Sequence, residues 1–398
     1  MTNAVADALN WITDDLNQLA AQELLRQRRE VVPLTDGRCR VDGVEVWDCA
    51  SNDYLDLARD PRVTAAAAAA MTSHGVGATA SPLVCGRTDL HRNLEQALAR
   101  FEGAETAILF PTGMAANIGS VSALAGADDV VFCDRLNHAS LVDGCRLSGA
   151  KLRVYHHTEL TRLDDWLTKE EATRRKFIVT DSVFSMDGDH APLPQLCEIA
   201  DRHAAALIVD EAHGTGVFGE HGRGVAELQG VEDRVTVRIG TLSKAIGALG
   251  GFVTGSQALI DFLWNKARTQ VYSTALPPAV CAAALASIQI IESEPARRER
   301  LLQNAAFFRE RLSALEVTAY PGSSGPIVPV ALQDPHAAMM VAEQLFVDGF
   351  LVGAIRPPTV PKGTSRLRIT LRSSLARDVL ERFATAVANR VHTVSKNK

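Results

Sequence analysis

The 398 residues carry 41 Lys and Arg against 47 Asp and Glu, a net charge of −6, with 46% hydrophobic and 22% charged residues. That balance excludes wholesale disorder and gives no basic footprint for DNA or RNA. The length exceeds one small core and asks for two domains, while no apolar run approaches the roughly 20 residues of a membrane helix.

The N-terminus carries Asp7, Asp14 and Asp15 instead of a basic region leading into an apolar core, so no secretion signal is visible. Residues 1–30 read as a charged helical arm, with Leu16, Leu19, Leu24 and Leu25 loosely on one side, and short strands are expected before residue 45. The seven cysteines form no CxxC pair and are odd in number. That pattern suits reduced thiols in a cytoplasmic protein better than disulfides or a zinc site, and no metal is expected.

From about residue 45, short apolar runs alternate with helical stretches. Strand candidates lie at 106–110, 130–133, 152–155, 177–180, 205–209, 235–239 and 251–254. Helical spacing falls at 90–101, 163–174 and 193–203, and the alanines at 65–70 form a helix readily. Alternation of this kind predicts an α/β fold, a mostly parallel sheet covered by helices on both faces. Pro277-Pro278 opens a helix to about Glu292, and Glu294-Pro295 starts a second, charged one to about Leu315. A smaller α+β unit follows, with strands at 327–331, 350–353 and 367–370, a helix at 336–348 and a final helix. The division is a large domain over 46–292 and a small one over 293–398.

Candidate chemistry sits at the strand ends. Phe110-Pro111-Thr112-Gly113-Met114 places a glycine turn between a strand and a helix, where backbone N–H groups favour phosphate. His138 follows the strand at 130–133, from which an imidazole can lie flat on a heteroaromatic ring. Ser185, in the turn-rich stretch after 177–180, can donate to a hydroxyl or phosphate. Asp210-Glu211-Ala212-His213 matches a helicase box in its letters, but no GxxxxGK[ST] loop accompanies it. Gly214-Thr215-Gly216-Val217-Phe218-Gly219 has dinucleotide spacing, yet the glycine-rich continuation cannot start the helix that such a site needs. Asp210 is better read as the partner of a pyridinium nitrogen, and His213 as a donor to a ring oxygen. Lys244, on the turn Gly240-Thr241-Leu242-Ser243-Lys244, has the small neighbours that a coenzyme ring would require. A strand-end Asp, a nearby His and such a lysine are the parts needed by pyridoxal phosphate (PLP), with the lysine linked to the coenzyme's aldehyde and the Asp keeping the ring nitrogen protonated.

These fragments, in this order, resemble the α-oxoamine synthases among the fold-type I PLP-dependent transferases. The resemblance runs from Ser51-Asn52-Asp53-Tyr54-Leu55 to Arg366-Leu367-Arg368-Ile369-Thr370. It is most specific at 134–140, 184–189, 210–216 and Tyr272-Ser273-Thr274. It implies that Lys244, His138, Asp210 and His213 are catalytic, and that Gly113, Met114, Ser185, Thr241 and Thr274 join His138, Asp210, His213 and Lys244 in holding the coenzyme. It implies substrate contacts at Arg26, Asn52, His138, Thr359 and Arg368, with the Arg368 guanidinium suited to a carboxylate. Thr274 would reach the phosphate from a second subunit, implying a homodimer with shared sites. The stretch Ala354-Ile355-Arg356-Pro357-Pro358-Thr359-Val360-Pro361 most resembles the family member that condenses L-alanine with pimeloyl-CoA or a pimeloyl carrier protein. Members using glycine with acetyl-CoA or succinyl-CoA are the alternative, and a silent copy would be expected to have lost the lysine or its acid. Two departures bear on acyl-chain preference. Asp56 stands where the family usually has Gly, and residues 77–86 replace a more glycine-rich loop beside the acyl-CoA entrance.

Overall fold

Runs of branched and aromatic residues, too short for helices, make most of the strands that carry the site. The structure, a computed structural model, describes residues 8–22 and 24–396, so residues 1–7 and 23 of the expected N-terminal arm lie outside the described residues. Among the described residues no helix is long and apolar enough to cross a membrane. A first helix over Trp11–Ala21 buries none of its residues. Three short strands follow: β1 (Val31–Pro33), β2 (Arg38–Val41) and β3 (Val44–Asp48).

The central sheet contains β4 (Thr106–Phe110), β5 (Val130–Asp134), β6 (Lys151–Tyr155), β7 (Lys176–Asp181), β8 (Ala206–Asp210), β9 (Val237–Thr241) and β10 (Gly251–Gly255), in the order β4-β10-β9-β8-β7-β5-β6. Only β10 runs against its neighbours. Successive residues of a strand face opposite ways. Accordingly Leu109, Phe132, Ile178 and Leu207 enter one core, and Ile108, Val131, Val179 and Ile208 enter another across the sheet. Both faces are apolar because helices cover both, as a mostly parallel sheet requires.

β10 brings backbone without side chains to the middle of the site. Gly251 pairs with Phe110 on one side and Thr241 on the other. A Cβ on Gly251 would stand 2.4 Å from the Thr112 carbonyl oxygen, and Gly250 lies at φ 136°. Only glycine allows these strands to pass so closely.

A second core gathers on β11 (Ile327–Gln333), β12 (Phe350–Leu351), β13 (Gly353–Ile355) and β14 (Ser365–Thr370), with helices over Pro335–Val347 and Arg377–Lys396. The Pro295–Ala314 helix bridges the cores, with Leu301 in the first and Ala305, Phe308 and Leu312 in the second. The expected strand at 350–353 is in fact two. β12 pairs with β3 while β13 pairs with β14, so the chain leaves one sheet and enters another near Val352.

The helical arm is also shorter than expected, since helix ends at Ala21 and residues 24–30 run without it. Their polar groups bond elsewhere: Arg356 Nη2 donates to the Leu25 carbonyl at 3.1 Å, and the Glu30 amide donates to Asp42 Oδ1 at 2.9 Å. Contacts to distant residues outweigh the weak local preference of this charged stretch for helix.

Candidate active site

Five segments that leave the C-terminal ends of β4, β5, β7, β8 and β9 meet at a cavity of about 240 Å³. In open α/β sheets this is where ligands bind. After β4, Thr112 caps the Gly113–Leu124 helix by accepting the Ala115 amide at 3.0 Å, leaving Gly113 at the helix N-terminus. A Cβ on Gly113 would stand 3.0 Å from Thr241 Oγ1, so the turn after β4 and the end of β9 form a close backbone cradle. Thr241 Oγ1 is itself held, donating to the Gly250 carbonyl at 2.9 Å.

Two carboxylates end neighbouring strands, for Asp181 and Asp210 pair across β7 and β8. Asp210 accepts Asn117 Nδ2 at 2.6 Å and the Ala212 amide at 2.7 Å. Burial and the nearby Asp210 charge push Asp181 well above the usual carboxylate range. Asp181 also fixes its surroundings, accepting the His138 amide at 2.6 Å. His138 Nδ1 lies 2.7 Å from Ser140 Oγ, and Ser140 accepts Asn117 Nδ2 at 2.9 Å. Burial lowers the His138 pKa and keeps the ring neutral, with the Lys244 charge adding to the effect.

Lys244 lines the same cavity, half-buried on the turn after β9. Burial lowers its pKa to about 8, although Asp210 and Asp181 work the other way. An amine so shifted is a usable nucleophile and base near neutral pH.

Arg368, on β14, reaches this group of residues from the second core. Its Nε donates to the Ser185 carbonyl at 2.6 Å and its Nη2 to Asn52 Oδ1 at 3.1 Å. Tyr54 Oη lies 3.2 Å from the same Asn52 oxygen and 2.6 Å from His213 Nδ1. Arg368, Asn52, Tyr54 and His213 thus form one chain of contacts. Burial pushes the Tyr54 phenol up to about 12 and holds His213 well below its ordinary value.

Gly113, Met114, His138, Ser185, Asp210, His213, Thr241 and Lys244 therefore line one cavity, with Asn52 and Arg368 bonded beside it. Thr274 does not join them: it is exposed on the chain's surface, outside that cavity. Arg26 and Thr359 meet each other, Nη2 to Oγ1 at 3.4 Å, but in a separate groove of about 830 Å³ beside the Pro335–Val347 helix. Sequence reasoning missed Asn117, Asp181 and Tyr54. The signal for Asp181 was its place at a strand end beside Asp210, whereas Asn117 and Tyr54 lie in no pattern that spacing alone would select. Glu211 has no part in the cavity. It is fastened by Ser182 Oγ at 2.6 Å and the Val225 and Ala226 amides at 3.0 and 2.8 Å.

The donor set fits pyridoxal phosphate. A backbone cradle with Thr241 suits the phosphate, the Asp210 carboxylate suits a protonated ring nitrogen, and the Lys244 amine suits the aldehyde.

Comparison with known proteins agrees. Residues 44–387 match the model of the aminotransferase class I and II family. The 8-amino-7-oxononanoate synthase of Anaeromyxobacter dehalogenans strain 2CP-1 is 47% identical over 96% of this chain and 95% of its own. Among solved structures, serine palmitoyltransferase from S. paucimobilis, with PLP and myriocin bound, superposes with a TM-score of 0.92 at 30% identity, covering 98% of this chain and 99% of that one. The 8-amino-7-oxononanoate synthase of Francisella tularensis superposes with a TM-score of 0.76 at 30% identity, over 88% of this chain and 99% of that one.

Proposed function

The chain belongs to the class I and II aminotransferase family and, within it, to the family of the 8-amino-7-oxononanoate synthases; from that premise we propose how its residues carry out the reaction. It is a PLP-dependent acyltransferase of biotin biosynthesis. L-Alanine and a pimeloyl thioester, on CoA or a carrier protein, give 8-amino-7-oxononanoate, carbon dioxide and the free thiol. The observation that carries this reading is the convergence of Lys244, Asp210 and the Gly113 turn on one cavity, with Arg368 beside it.

Pyridoxal phosphate, when bound, supplies an electron sink for the pair left at the α-carbon. Lys244 anchors the coenzyme and then, as a free amine, takes the α-proton of alanine at Nζ. Asp210, steadied by Asn117 and the Ala212 amide, accepts the ring N–H. Gly113, the Met114 backbone, Thr241 and Ser185 would hold the polar substituents, and His138 would lie against the ring. Arg368 would hold the alanine carboxylate and so orient the substrate in the cavity. Asn52, Arg26 and Thr359 serve the substrate side.

The site is shared between two copies in this reading. Thr274 and Tyr272 are exposed, and the Ala275 amide donates to the Ala80 carbonyl at 3.0 Å, placing this surface against the 77–86 loop. Tyr272 is 73% exposed, Val76 77% and Val84 79%, an apolar surface suited to a second subunit. The working assembly is a cytoplasmic homodimer.

Incubating the PLP-loaded protein with alanine or glycine and pimeloyl, acetyl or succinyl thioesters tests the reaction. Thiol release with alanine and the pimeloyl donor is expected. Turnover confined to glycine with a short acyl-CoA would reverse the substrate assignment.

A further inference from the structure

Tyr54 and His213 are both buried, and the 2.6 Å from Oη to Nδ1 is the tightest link in the chain of contacts that starts at Arg368. A phenol has one proton to give. Its other neighbour, Asn52 Oδ1, stands at 3.2 Å, longer than a normal O–H···O bond, and already accepts Arg368 Nη2 at 3.1 Å. The proton therefore goes to Nδ1. The phenol keeps that proton at every working pH, because burial pushes its pKa up to about 12. The imidazole takes up no second one, since burial and then the charges of Lys244 and Arg368 drive its pKa well below the ordinary value. A neutral imidazole whose Nδ1 accepts carries its hydrogen on Nε2.

We propose that Tyr54 is a positioning residue that fixes His213 as the Nε2–H tautomer, so that a donor and not an acceptor is offered to an anionic oxygen in the cavity. The proposal rests on the coenzyme reading above and goes beyond it, because Tyr54 touches neither coenzyme nor substrate in that reading. With the other tautomer, a lone pair would face the ring oxygen and the contact would turn repulsive.

Histidine-selective 15N NMR of the PLP-loaded enzyme reads which ring nitrogen is protonated, with His213→Gln assigning the signal. The wild-type signal is expected to show Nε2–H, and Tyr54→Phe, which keeps the ring and its packing, to lose that fixed tautomer. The Tyr54→Phe enzyme should also release coenzyme on dialysis about tenfold faster, the effect of one strong hydrogen bond. Its kcat should fall while KM for the amino acid changes little. A wild-type proton on Nδ1, a charged ring, or an unchanged tautomer in Tyr54→Phe overturns the proposal, as does a rise in KM alone. A wild-type spectrum with the proton on Nδ1 overturns the proposal even if the variant does not fold. It is also legible whether or not alanine and a pimeloyl thioester are the substrates, so the two readings fail separately.

Discussion

Asp56 Oδ1 lies 2.6 Å from Arg372 Nε, an ion pair that ties the segment before the first long helix to the C-terminal core. The same guanidinium reaches Asp48 and Asp53 at 3.0 Å each. Asp56 sits at φ 56°, in the left-handed region where glycine is at ease. Asp56 therefore takes up a backbone shape that glycine would hold without strain and adds a charged contact to it.

The two effects can be separated by substitution. Asp56→Gly relieves about 1 kcal/mol of backbone strain. It also loses the ion pair and the bonds from Ser373 Oγ and the Ser374 amide, at 3.0 and 2.9 Å, a loss of roughly 1.5–3 kcal/mol. Asp56→Ala loses the same bonds and keeps the strain. Thermal unfolding should rank wild type above Asp56→Gly and Asp56→Ala last. An alanine variant more stable than the glycine one would refute the strain argument.

Lys244 governs coenzyme capture. Its free-amine fraction is small below its pKa of about 8 and nearly complete above it. The rate at which coenzyme-free protein takes up PLP covalently should climb as pH rises toward 8 and then level off. An ordinary lysine would keep climbing toward its usual value near 10.4. Lys244→Ala should lose covalent capture and at least about 100-fold in turnover. Stopped-flow absorbance over a pH series measures the first effect, and a steady-state assay the second.

His157 predicts an alkaline loss of stability. It bridges Asp134 at 2.9 Å and Asp189 at 2.8 Å. Burial works against its charge, but the two carboxylates prevail and raise its pKa to about 10. A folded-state pKa above the unfolded value near 6.5 gives stability that is complete below pH 6.5 and is lost as pH climbs through 10. His157→Gln should lower stability at pH 6 by about 1–3 kcal/mol, and the gap to wild type should close by pH 10. Paired denaturant titrations at the two pH values check it; a gap independent of pH would contradict the charged form.

Arg368 and lysine should not be interchangeable. The guanidinium donates from Nε to the Ser185 carbonyl, from Nη1 to Thr370 Oγ1 and from Nη2 to Asn52 Oδ1, a planar set of donors that an ammonium cannot reproduce. Arg368→Lys should raise KM for alanine by about 10–100-fold with a smaller effect on the thioester. Arg368→Ala should be worse. Equal effects on both substrates would place the arginine elsewhere in the reaction.

Much of this was legible from residue order alone because strand ends punctuate the text. Apolar runs locate β4 to the residue, and β8 and β9 to within two, since polar Asp210 and Thr241 still pair with neighbours at the strand ends. Tyr54 was illegible as a site residue because its role arises from Arg368 and His213, remote in sequence. Residues 24–30 were misread for a similar reason. Their composition favours helix, yet Arg356 and Asp42 take the backbone groups that a helix would have used. The 350–353 stretch reads as one strand because periodicity cannot report which sheet receives each residue.

The reversed strand β10 has a genetic implication. Two sequence-distant ends, the Gly113 turn and Thr241, flank a strip of bare main chain at Gly250 and Gly251. A methyl group at Gly251 would meet the Thr112 carbonyl and Gly113 Cα and wedge these halves apart. Random mutagenesis should therefore find a cold spot there as severe as at Lys244, at a position that contributes no functional group at all.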